Sequence, residues 1–165
     1  MPSLHPAFVI SGKRRIFFGA LICFAPLLAG CAARVPRAGA PGFEPGRVQF
    51  ENYCAGCHID DSGVRGDTPP LEGSSWVTGP EGRLIKIALH GVRGPIEVQD
   101  KTYDQEMPGF GAVLSDADIA ALLSFVRRRF GGLNSPVTPA AVNAVRAAWP
   151  DRTSYWSVDE LLKSP

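Results

Sequence analysis

The run Cys54-Ala55-Gly56-Cys57-His58 leaves this chain few folds to choose from. Two sulfurs separated by two residues, with an imidazole directly after, serve three chemistries: thioether attachment of a haem, a thiol–disulfide redox pair, or half of a zinc site. Haem attachment uses every part of the run. The two sulfurs reach the two vinyl groups on one porphyrin edge, and the imidazole turns towards the iron. A thioredoxin-like pair would open a helix in an alternating strand–helix chain, and no strand signal appears anywhere in this sequence. Zinc would have Cys54, Cys57, His58 and at best His90, yet adjacent Cys57 and His58 cannot easily face one tetrahedral centre from a helix.

The other two of the four cysteines have separate uses. Lys13-Arg14-Arg15, an apolar run over 16–29 and then Gly30-Cys31 have the layout of a secretory signal peptide. A spanning helix needs about 18 apolar residues; this run is shorter and is interrupted by Pro26, so cleavage is favoured over permanent insertion. The exit Leu28-Ala29-Gly30-Cys31 resembles the lipobox of bacterial lipoproteins, which implies that Cys31 is lipidated and becomes the mature N-terminus. An ordinary signal peptide cut near Ala32-Ala33 is the alternative. The same resemblance, with Ala32 rather than Asp after the cysteine, implies the outer membrane. Loss of 1–30 removes three cations and Cys23, leaving 14 basic against 16 acidic residues, a formal balance of −2. No nucleic-acid partner is implied.

Residues 31–44 are rich in Pro, Gly, Ala and Arg without apolar periodicity and read as a lipid anchor and flexible tether. A first helix starts near Pro45-Gly46, and Phe50, Cys54 and Cys57 follow at spacings of four and three, which puts them on one face. Residues 60–75 read as a loop. Thr78-Gly79-Pro80-Glu81 opens a helix carrying Leu84, Ile85, Ala88 and Leu89, with Gly91 at its stop. Over 94–111 Pro95, Pro108, Gly109 and Gly111 argue for a looped chain that wraps something rather than a strand pair.

The clearest helix spans 115–130, with Ser115 and Asp118 as its cap, a stripe of Ile119, Leu122, Leu123, Val126 and Phe130, and Gly131 at the stop. Arg127, Arg128 and Arg129 read as a solvated last turn that complements the helix dipole. Thr138-Pro139 opens a further helix to about Ala148, and Ser157 with Glu160 opens a last one through Leu162. The domain is therefore expected to be all-α, with a few helices that would share a poor core unless something large and apolar filled their centre. Haem is such an object.

A second axial ligand should come from a loop well downstream. Met107 precedes Pro108, which biases it towards extended backbone, and it is the only methionine besides Met1. Thioether with imidazole is the pairing of electron-transfer cytochromes c, while a core methionine is the plainer alternative. His90 is a rival sixth ligand at a helix end, where a capping or surface role competes.

In this order the motifs resemble the class I monohaem c-type cytochromes: a helix with C-x-x-C-H, a Pro-x-Leu loop, a Met-Pro segment and a C-terminal amphipathic helix. The resemblance covers about 45–132 and implies a cytochrome c-like fold around one covalent haem c. It implies thioether positions for Cys54 and Cys57, proximal and distal iron ligands in His58 and Met107, a carbonyl from Pro69 to the His58 ring, and Leu71 over the haem face. Phe50 and Phe125 match the aromatic contacts where the first and last helices cross. The stretch from Trp76-Val77-Thr78-Gly79 through His90-Gly91-Val92-Arg93-Gly94-Pro95-Ile96 to Met107-Pro108-Gly109-Phe110 is similar to haem domains that accompany quinoprotein and other periplasmic dehydrogenases. Trp76, Arg93 and Tyr103 are candidate donors to the haem propionates, with core packing or exposure as alternatives.

Residues 133–165 depart from the family and hold Trp149, Tyr155 and Trp156, which either fold back on the domain or form a docking arm. Only Lys86, Lys101 and Lys163 remain after cleavage, so the lysine ring of mitochondrial-type docking is missing and an acidic oxidase patch is a less natural partner. The expected function is that of a periplasmic, membrane-anchored electron carrier rather than a catalyst. The resemblance implies a periplasmic dehydrogenase as donor and an oxidase or another cytochrome as acceptor. A haem enzyme or gas sensor with a labile sixth ligand is the alternative.

Overall fold

The first helix, α1 (Phe43–Tyr53), lies across the longest one, α4 (Asp116–Gly131), and a glycine sets how closely they approach. A Cβ at Gly46 would strike the Ala121 carbonyl and stand 2.7 Å from Phe125 Cβ, so only glycine fits at the crossing. Beside it Phe43 and Phe50 tilt against Phe125, with ring centroids 5.3 and 5.4 Å away, and the Phe50–Phe125 pair is the aromatic contact expected at this helix crossing. These observations come from a computed structural model that describes residues 43–58 and 67–163, all within the unit Pro36–Pro165. The expected signal peptide over 1–30, Cys31 and most of the expected tether lie outside the described residues. No helix among the described residues is long and apolar enough to cross a membrane.

The start of α4 is fixed by its own sequence. The Ser115 hydroxyl accepts from the Asp118 amide and the Asp118 carboxylate accepts from the Ser115 amide, each at 3.2 Å. A cap of this kind contributes about 1 kcal/mol. The helix ends at Gly132 in left-handed conformation, one residue beyond the expected stop. Its stripe Ile119, Leu122, Leu123, Val126 and Phe130 is buried throughout. Short helix α2 (Ser75–Thr78), capped by Ser74, and helix α3 (Glu81–His90) close the same core.

The all-α expectation needs correction, because the segment after α3 is built from short strands. Strand β1 (Gly91–Arg93) pairs antiparallel with β4 (Met107–Pro108), Val92 opposite Met107. Between them β2 (Ile96–Val98) and β3 (Lys101–Tyr103) form a hairpin that turns through Gln99 and Asp100, both at positive φ. The expected loop over 94–111 is thus partly a strand pair after all. Strands of two or three residues are too short for alternation to register, and their pairing comes from what lies beside them.

The C-terminal residues fold back rather than project. Helix α5 (Pro139–Ala148) packs on α3 and α4 with Val142 buried, strand β5 (Trp156–Ser157) joins β1 in parallel, and helix α6 (Val158–Lys163) follows. The resulting sheet has the order β4-β1-β5. Two apolar clusters result: one around α1, α3, α4 and α5, and a second in which Trp156 and Leu161 join Val92, Ile96 and Val98, with Met107 packed against it. Arg127 is a further correction. It is 9% exposed, and its guanidinium donates to the Gly79 carbonyl at 3.3 Å, tying α4 to the end of α2 rather than facing solvent.

Candidate functional site

Helix α1 stops at Tyr53, and Cys54–His58 forms a turn of its own rather than continuing the helix. The amides of Cys54 and Ala55 donate to the Phe50 carbonyl, and those of Cys57 and His58 donate to the Cys54 carbonyl at 3.0 and 2.8 Å. The turn leaves Cys54 half-buried, Cys57 exposed and His58 buried. The His58 ring donates from Nδ1 to the Pro69 carbonyl at 3.2 Å. A carbonyl can only accept, so the proton sits on Nδ1 and Nε2 keeps its lone pair for a metal. Burial pushes the His58 pKa down and the Pro69 carbonyl opposes the shift, so the ring is held neutral, the form that ligates.

The turn faces an apolar cleft. Two adjoining hollows share Cys54, His58, Pro69, Val92, Ile96 and Met107 along their walls, which are mostly apolar. Leu71 and Trp76 close the inner hollow together with α3 and α4, and Cys57 lies at the outer one. Met107 reaches the cleft from β4. The chain just beyond it is held by α3, whose Ala88 and Leu89 carbonyls accept from the Phe110 and Gly111 amides at 2.8 and 3.0 Å. These are carbonyls that a helix end leaves without intrahelical partners, so the Met107 segment and the end of α3 satisfy each other.

The competing readings of the cysteines fit this geometry poorly. Burial, and then the neighbouring Cys57, raise the Cys54 thiol to about 12, the opposite of a redox-active thiolate, and it follows a helix end instead of opening a helix. No group of three or more His, Cys, Asp or Glu converges among the described residues, so zinc has no ligand set there. An apolar slot, two sulfurs at its edge, a neutral imidazole with a free Nε2 and a thioether on the wall do suit a haem.

Not every expected residue joins them. Trp76 walls the cleft, but its indole N–H donates to the Glu97 carbonyl at 3.3 Å. Arg93 is exposed on β1, and Tyr103 sits under the Lys101 ammonium at 4.7 Å; neither lines the cleft. His90 turns away altogether. It packs edge-on against Trp156, and its Nε2 is buried with no hydrogen-bond partner among the described residues. Sequence reasoning overlooked Val92, Ile96 and Phe110 as cleft walls, since β1 and β2 show no pattern beyond a few β-branched residues.

A helical domain with a C-x-x-C-H turn and a Met-Pro strand both on the walls of one apolar cleft has the arrangement of a c-type cytochrome. Its cofactor is covalently bound haem c and its task is electron transfer. The chain belongs to the family described as cytochrome c oxidase, cbb3-type, subunit III, whose model matches residues 41–126. It is 34% identical over 99 residues to the cbb3-type cytochrome c oxidase subunit FixP of Azorhizobium caulinodans, covering 58% of this chain and 32% of that protein. It is 36% identical over 89 residues to a subunit of the nicotinate dehydrogenase of Pseudomonas putida, covering 52% of this chain and 7% of that one. With the cytochrome c subunit of the quinone alcohol dehydrogenase of Gluconobacter oxydans it shares 32% identity over 126 residues, 73% of this chain and 26% of the relative. The chain thus spans about a third or less of the length of these relatives.

Proposed function

We propose that this chain is a lipid-anchored periplasmic electron carrier that takes single electrons from a dehydrogenase and passes them to an oxidase or another cytochrome. The observation that supports the carrier role is the cleft with His58 and Met107 both on its walls; with both as ligands of a bound haem, no coordination position would stay open to a substrate. Bound haem supplies a one-electron iron couple. The protein's own residues do the rest. Cys54 and Cys57 would hold the porphyrin edge, His58 would ligate through Nε2 with Pro69 fixing its tautomer, and Met107 would offer a neutral thioether. The apolar walls, Leu71 among them, keep water away and thereby raise the cost of charge at the site.

The partner classes are supported by the names of relatives, two of which are dehydrogenase subunits and one a cbb3-type oxidase subunit. Lipidation at Cys31, with the outer membrane as its destination, is supported by Leu28-Ala29-Gly30-Cys31 and by Ala32. A lipid chain contributes about 0.8 kcal/mol per buried methylene, so two or more chains anchor stably.

Intact-mass and absorption measurements on protein made with export and maturation machinery test the site. The wild type should carry one haem mass and a Soret band, and Cys54→Ser/Cys57→Ser should lose the covalent mass. Wild-type protein of unmodified polypeptide mass, without a Soret band, refutes the proposal. Cys31→Ala should release the protein from the membrane fraction; continued membrane retention refutes the anchor alone.

A further inference from the structure

The Met107 strand is not held by the cytochrome portion alone. In the sheet β4-β1-β5, Val92 of β1 stands between Met107 on one side and Trp156 on the other. At Gly91, with φ of 77°, an added Cβ would strike the Met107 carbonyl and lie 2.6 Å from the Tyr155 ring. One glycine therefore separates the C-terminal segment from the ligand strand. Trp156 is 2% exposed and Leu161 0%, in the apolar cluster against which Met107 packs.

The segment is also latched. The Arg152 guanidinium lies 3.4 Å from the Trp156 ring centroid and donates to the Tyr155 carbonyl at 2.9 Å and to the Glu160 carboxylate at 3.0 Å. Glu160 in turn accepts from the Ser157 amide at 2.8 Å, which fixes the strand next to β1. Beyond the ligand strand in sequence, Arg146 of α5 donates to the Gly111 and Leu114 carbonyls at 2.6 and 3.1 Å. Residues remote in sequence thus brace the Met107 strand through β1 and hold the chain that follows it.

We infer that the C-terminal segment fixes Met107 at the sixth position, with Trp156 as the positioning residue acting through β1. This inference rests on Met107 being the ligand. A thioether is a weak ligand that leaves when its strand moves, so a slack β4 would populate a form open to small ligands. The segment then sets how closed the carrier is.

The test uses the full chain with haem attached and reads two quantities: the ferric thioether-to-iron charge-transfer absorption, and the rate at which carbon monoxide binds the ferrous protein. Met107→Ala should abolish the absorption and bind carbon monoxide fastest. Trp156→Ala should keep the haem mass and helix content, weaken the absorption and speed carbon monoxide binding about tenfold, as for a tenfold rise in an open minor state. Trp156→Phe should restore both, since the indole N–H has no partner among the described residues to lose. In a Met107→Ala background Trp156→Ala should add nothing. If Met107→Ala changes both readings and Trp156→Ala changes neither, the positioning role is overturned with the ligand intact. If Met107→Ala itself changes neither, the ligand reading has failed and this inference with it. Should Trp156→Ala not accumulate, Arg152→Ala gives the same readings from outside the core: a smaller change in the same direction supports the role, and no change overturns it.

Discussion

The two sides of the cleft are built in opposite ways. On the cysteine side everything that matters is local: a five-residue turn bonded to itself and to Phe50, and the Pro69 carbonyl 11 residues on from His58. On the methionine side nothing is local. Met107 lies on a two-residue strand whose partner β1 leans on β5, near the end of the chain. On the proposed reading covalent attachment would need only the first side, whereas a ligand at Met107 would depend on the whole unit. The lesson is that one site can combine a part written in consecutive residues with a part that exists only after folding.

Substitutions on each side should therefore separate attachment from ligation. Leu161→Ala, which empties a fully buried site in the second cluster, should cost about 2–5 kcal/mol in denaturant unfolding while covalent haem is retained. It should also speed carbon monoxide binding; an unchanged rate would blur the contrast between the sides. Gly46→Ala comes next. Its Cβ meets the Ala121 carbonyl, so α1 must shift at a cost of about 1–3 kcal/mol, read as a lower thermal midpoint with the carbon monoxide rate unaltered.

The smallest effect is electrostatic. Arg152, and then the Ser157 amide and hydroxyl, hold the Glu160 carboxyl at about 2, below its ordinary 4.5. A depressed carboxylate contributes stability that is present above about 4.5 and lost as pH falls through about 2. Because Glu160 is exposed, solvent screening keeps the contribution slight. Glu160→Gln should flatten the fall in thermal midpoint over that acid window, and a slope equal to the wild type would remove the latch from the account.

Much of the helical frame was legible because its signals are short-range. Ser115 and Asp118 named the start of α4, Thr138-Pro139 that of α5, and Ser157 with Glu160 that of α6. The C-x-x-C-H turn and Met107 were legible because their chemistry is uncommon, and both lie on the cleft. The strands were not, since β1, β4 and β5 take their register from one another across most of the chain. Arg127 was misjudged for a related reason. Its position in a last turn suggests solvent, but its burial comes from the Gly79 carbonyl contributed by α2. His90 likewise faces Trp156, which no local pattern could announce.

The place of β5 also orders events as the chain emerges from synthesis or export. Three strands and two helices intervene between β1 and its parallel neighbour, so that pairing waits until Trp156 and Ser157 are available. The haem-bearing turn has no such wait. A nascent chain can present its sulfurs for attachment early and complete the Met107 wall only once residue 156 has been made, and a product truncated ahead of that residue would carry its pigment with one wall unbraced.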